Sequence, residues 1–121
     1  MRANDTYLAV YVGDETGARR KAWLALPEAE RQVKEREGMA AWGAWMEKHR
    51  DAIVVTGGPL GKTKKVSQSG IADVSNALTG FVVVRAESPE AATELFERHP
   101  HFAHFPGGGV EIMPVLPIPG A

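Results

Sequence analysis

Two stretches of this chain are apolar at both parities of an extended strand. In Tyr7–Val12 (YLAVYV), the sets Tyr7/Ala9/Tyr11 and Leu8/Val10/Val12 both suit burial, and Phe81–Val84 repeats the pattern. Successive side chains of a strand face opposite ways, so strands of this kind must be covered on both faces. A chain of 121 residues holds one domain, residues 1–121. Its own helices can cover one face of a sheet, and something further must cover the other.

The helix signals fall between the strands. Pro27 is followed by Glu28 and Glu30, with Lys48, His49 and Arg50 about twenty residues on, so proline opens and bases close a first helix over Pro27–Arg50. Met39, Trp42, Trp45, Met46 and His49 recur at spacings of three and four, which makes its second half the buried part, with Gly38 marking the change. Ser88-Pro89-Glu90 reads as an N-cap followed by proline at the first helical position. Ala91, Ala92, Leu95 and Phe96 then form the stripe of a second helix that stops before Pro100. Ile53–Val55, Gly80–Ala86 and Val110–Leu116 supply three more strands, the first ended by Gly57-Gly58-Pro59.

The order β-α-β-β-α-β predicts an α+β, ferredoxin-like fold, a four-stranded antiparallel sheet with two helices on one face. Two helices of about 10 Å diameter cover only one face of four strands spaced about 4.8 Å apart. The apolar surface left over predicts a homodimer packed sheet to sheet.

Composition narrows the chemistry. There is no cysteine, which removes disulfides, thiol nucleophiles and thiolate metal sites and leaves histidine, aspartate and glutamate as acid/base groups. The apolar runs are far shorter than a membrane helix requires, and the start of the chain carries no apolar leader, which predicts a cytoplasmic protein without a membrane partner. A net charge of -1 argues against nucleic acid. Gly61-Lys62-Thr63 copies the end of a phosphate-binding loop, but Thr56 stands where that motif needs its first glycine and Pro59 lacks an amide donor.

Three of the four histidines lie in His99-Pro100-His101-Phe102-Ala103-His104, between the second helix and the last strand. Imidazoles in such a loop suit a general base or a donor to a bound ligand. The structural alternative has them capping the second helix while the phenylalanines fill the core. H-x-H alone is weak evidence for a metal, and no metal or cofactor is expected. Asp73, within the long segment Gly61–Thr79, is either a turn residue beside Ser75 and Asn76 or the carboxylate that orients a histidine. The candidate catalytic groups are therefore His101 with Asp73, and His49 as second choice. His99, Trp42, Met46, Phe102 and His104 are candidate ligand contacts.

From Tyr7 onward the chain resembles the YCII-related (DGPF) family. The match is carried by Trp42-Gly-Ala-Trp45 with Lys48, Gly57-Gly-Pro-Leu60, Val66-Ser67, Gly70 with Asp73, Leu78-Thr-Gly-Phe81, Ser88-Pro-Glu-Ala-Ala92, His99-Pro-His-Phe102, and Gly109-Val-Glu-Ile112 before Pro114. The resemblance implies a dimeric α+β barrel, and relatives that look like enzymes on small, often aromatic, compounds with a histidine–aspartate pair in a cleft. Where such relatives place a histidine in the first helix this chain has Ala40-Ala41, and Gly57 stands where the Asp-Gly-Pro-Phe signature begins. Two functions follow as expectations: a cofactor-free acid/base lyase, isomerase or hydrolase acting on a small organic molecule, or a non-catalytic small-molecule-binding or regulatory dimer.

Overall fold

The computed structural model describes residues 5–120. The first residues of the chain, 1–4, on which the absence of a leader was partly read, lie outside them. The elements in order are β1 (Asp5–Gly13), α1 (Ala18–Ala25), α2 (Glu28–Lys48), a short 3-10 turn (Arg50–Ala52), β2 (Ile53–Pro59), β3 (Thr63–Ser67), β4 (Gly70–Val74), β5 (Leu78–Ala86), α3 (Pro89–Glu94), α4 (Pro100–Ala103) and β6 (Gly107–Pro114). The main sheet is antiparallel with strand order β2-β5-β1-β6, which is the ferredoxin-like arrangement.

The two parities of β1 part as its pattern requires. Tyr7, Ala9 and Tyr11 are buried against α2 and α3 with Val82, Val84, Trp45, Ala92 and Phe96, flanked by Trp42, Met46, Val110 and Ile112. On the other face Leu8 pairs with Val83 and Met113, and Val10 with Phe81, and Leu8, Val10, Phe81 and Val83 are only half-buried there. Both helices therefore sit on one face. Ser88 caps α3 as expected, accepting from the Ala91 backbone N–H at 3.0 Å.

Several boundaries differ from the sequence expectations. β2 runs on through Gly57-Gly58-Pro59 because Gly57 takes φ 64 at a break in register with β5. A Cβ at Gly57 would fall on the Phe81 carbonyl, so only glycine allows the strand to continue there. The segment 61–79 carries a two-stranded arm, β3 with β4, in which Asp73 is a strand residue across from Lys64 rather than a turn residue. α1, ARRKAWLA, is an additional helix that buries no residue, its Trp23 packing on Phe105 at 5.7 Å between ring centroids. Met39 is 65% exposed and lies off the buried stripe of α2. Gly38 is buried, however, and a Cβ there would meet the Phe105 ring at 2.6 Å.

Candidate active site

The site begins at a defect in β1. Its register shifts against β5 between Tyr11 and Val12, and against β6 between Val12 and Gly13. Bulges of this kind bend a strand and re-aim its polar groups. Here the Val12 carbonyl accepts a hydrogen bond from His101 Nε2 at 2.8 Å.

The histidine-rich segment reaches that bulge by a short turn. Arg98 takes a left-handed φ of 57, and Pro100 at the first position opens α4. His99 does not cap the preceding helix. Its Nδ1 accepts from the His101 backbone N–H at 2.9 Å, capping α4 instead, and its Nε2 meets the Tyr11 hydroxyl at 3.2 Å. His99 is fully buried among Tyr11, Trp42, Trp45 and Phe96, with Trp42 edge-on at 4.6 Å between ring centroids. Burial, and then the neighbouring His101 and His49, push its pKa down to about 3, so it is neutral.

His101 is 8% exposed and stays neutral for a related reason. Burial is the main cause of its lowered pKa, opposed by the bond to Val12 and reinforced by Arg19. A carbonyl can only accept, so the ring proton is on Nε2 and Nδ1 carries the lone pair. Among the described residues Nδ1 has no hydrogen-bond partner, and no buried side-chain nitrogen or oxygen is left unpaired, so Nδ1 is open to solvent. Gly107 lets β6 pass this ring, since a Cβ there would overlap His101 Nε2 and its carbonyl oxygen.

His101 lines a cleft of about 820 Å³ bounded by β1, α2, β2, β5 and the start of β6. Tyr11, Met39, Trp42, Met46 and Phe105 give it apolar walls, and Asp14, Glu15, Arg20 and Asn76 bring polar groups to it. Asp14 is committed locally: its carboxylate accepts from the Arg19 backbone N–H at 2.7 Å and from the Thr16 hydroxyl at 3.0 Å. The Arg19 bond, more than any other cause, holds its pKa below the usual carboxylate range.

The other candidate residues spread out. Trp42 and Met46 line the cleft. His99 lies behind its wall. Phe102 contributes its carbonyl to Arg19 Nη2 at 2.5 Å. His104 borders a separate groove of about 320 Å³ with Arg19, Trp23, Lys34 and Phe105. His49 packs on Trp45 at 5.1 Å, its pKa lowered by burial and by Lys48. Asp73 is on the exposed arm with its carboxylate 2.7 Å from Lys64 Nζ, and no hydrogen bond or ion pair joins it to His101. Tyr11 was missed as a site residue. It read as one of several apolar positions on β1, and its meeting with His99, 88 positions away, exists only in the fold.

Among the described residues no group of three or more His, Asp or Glu side chains is arranged to hold a metal ion, and no helix is long and apolar enough to cross a membrane. A family model described as the YCII-related domain matches residues 21–119. No curated protein matches the chain. Among solved structures the chain is similar to 5-chloro-2-hydroxyhydroquinone dehydrochlorinase from Burkholderia phenoliruptrix in complex with 2,5-dihydroxybenzoquinone. The identity is 19%, the match covers 89% of this chain and 90% of that one, and the TM-score is 0.50, a likeness of fold.

Proposed function

The chain belongs to the YCII-related domain family, and from that premise we propose that it is a cofactor-free acid/base enzyme acting on a small organic molecule, with His101 as the base. The observation that carries this reading is the His101 ring, fixed through Nε2 to Val12 while Nδ1 stays unpartnered beside an apolar cleft. A base needs a lone pair near neutrality and a fixed aim, and a lowered pKa keeps that lone pair available at pH 7. In the step proposed, His101 Nδ1 takes a proton from an O–H or C–H of the ligand. The imidazolium then holds its two protons on Nδ1 and Nε2, and the electron pair stays on the ligand.

Aromatic walls from Tyr11, Trp42 and Phe105 suit a flat ring, and the fold neighbour's dihydroxybenzoquinone complex supports a small oxygenated ring as the ligand. Val12 provides the orientation that a carboxylate gives elsewhere, so the reading does not need Asp73. The enzyme is proposed to work as a cytoplasmic homodimer joined through the uncovered face bearing Leu8, Val10, Phe81 and Val83.

Turnover measured on a panel of hydroxylated and halogenated aromatic compounds tests the reading. Wild type should act on at least one, and His101→Gln should lose that activity at least tenfold. Tight binding without turnover, unaffected by His101→Gln, would instead support a non-catalytic binding protein.

A further inference from the structure

The hydrogen bonds around His99 leave no choice of tautomer. Its Nδ1 accepts from the His101 backbone N–H, so Nδ1 carries no proton. A neutral imidazole has one ring proton, which must then sit on Nε2, and Nε2 donates to the Tyr11 hydroxyl oxygen. The hydroxyl's own hydrogen is therefore not used on His99. Among the described residues His99 Nε2 is the sole hydrogen-bond partner of that hydroxyl. Tyr11 is 5% exposed yet lines the cleft, with its ring 5.2 Å from that of His101. A buried hydroxyl hydrogen without an acceptor is costly, and a ligand or a water normally satisfies it.

We infer that the Tyr11 hydroxyl is the hydrogen-bond donor of the cleft, set by the His99 tautomer to face an acceptor oxygen of the ligand while His101 Nδ1 accepts from the ligand's O–H. This rests on the reading of His101 as the base and adds the ligand class. The molecule carries a hydroxyl beside a second oxygen, as in a neutral 1,2-dihydroxyaryl ring or an enol next to a carbonyl. As the hydroxyl proton passes to His101 Nδ1, negative charge grows on the ligand's oxygens, and the Tyr11 O–H stabilises it where it forms. His99 is a positioning residue, since it holds the hydroxyl without touching the ligand.

The chain has two tyrosines, so tyrosine labelled at Cζ gives two carbon signals, with Tyr7, 2% exposed and absent from the cleft wall, as internal control. Full-length protein carrying this label and 15N-histidine is titrated with catechol at pH 7. Before catechol is added, the nitrogen spectrum should show His99 protonated on Nε2; protonation on Nδ1 overturns the inference. On titration the Tyr11 Cζ signal and the His101 nitrogens should move while Tyr7 stays fixed, and Tyr11→Phe should weaken catechol binding about tenfold. Movement at His101 alone, with Tyr11→Phe binding as wild type, overturns this inference and leaves the base reading standing. No movement at either residue removes both.

Discussion

His101 and Val12, 89 positions apart, meet in a single hydrogen bond in which the imidazole Nε2 donates to the backbone carbonyl at 2.8 Å. The bond spends the ring proton on the protein and turns the lone pair of Nδ1 outward. A carboxylate partner would favour the charged imidazolium far more than a carbonyl does, so burial outweighs the opposing bond to Val12 and the ring stays neutral with its lone pair available.

Replacing His101 separates the two roles of this bond. His101→Ala leaves the Val12 carbonyl without its partner in a buried place, which should cost about 1–3 kcal/mol of stability in urea unfolding. His101→Gln retains an N–H donor and should lose less, while weakening catechol binding at least tenfold. A glutamine variant that binds catechol as wild type does would remove His101 from the ligand contact.

Acid should destabilise the fold in a defined window. His99 titrates at 6.5 when unfolded and at about 3 when folded, so between those values the unfolded chain holds the extra proton. Stability is therefore level above pH 6.5 and falls as the pH drops toward 3. His101 and His49, also lowered, act in the same direction. Urea midpoints at pH 7.5 and pH 5 check this, and a midpoint that rises on acidification contradicts the buried neutral His99.

Gly57 stands where the Asp-Gly-Pro-Phe signature of the family begins, yet this position cannot take aspartate. With φ 64 and the Phe81 carbonyl where a Cβ would sit, Gly57→Asp and Gly57→Ala should each lose upwards of about 2 kcal/mol. Thermal unfolding measures the loss. A Gly57→Asp variant as stable as wild type would mean that the bulge in β2 relaxes freely.

The uncovered sheet face carries the dimer prediction. Light scattering at micromolar concentration should give twice the chain mass, and Val83→Glu, which puts a charge at the centre of Leu8, Val10 and Met113, should give the monomer. A wild-type monomer contradicts the proposed interface.

Regular elements with a buried face were legible in the residues. The β-α-β-β-α-β order, the Ser88 cap and the Gly38 transition each rest on local pattern, and the fold bears them out. Of the β3–β4 arm only Val66-Ser67 was legible as a short extra strand, and its partner and α1 escaped, since none of the three elements buries a residue. β2 was read too short because glycine and proline ordinarily stop a strand, and a positive φ at a bulge is invisible without the neighbouring strand. The histidine cluster was visible as a cluster, but its division of labour was not. Which ring is sealed, which faces the cleft and which borders another groove depends on Tyr11 and Val12, brought in from the far end of the chain.

Long-range 15N–1H correlation of the histidine rings reads directly whether His101 offers a free Nδ1 lone pair to a ligand in the cleft. His101 should be protonated on Nε2 at pH 7, with an Nδ1 resonance that moves upfield on adding catechol as it accepts a hydrogen bond. A proton found on Nδ1, or an Nδ1 resonance unmoved at saturating catechol, would contradict it.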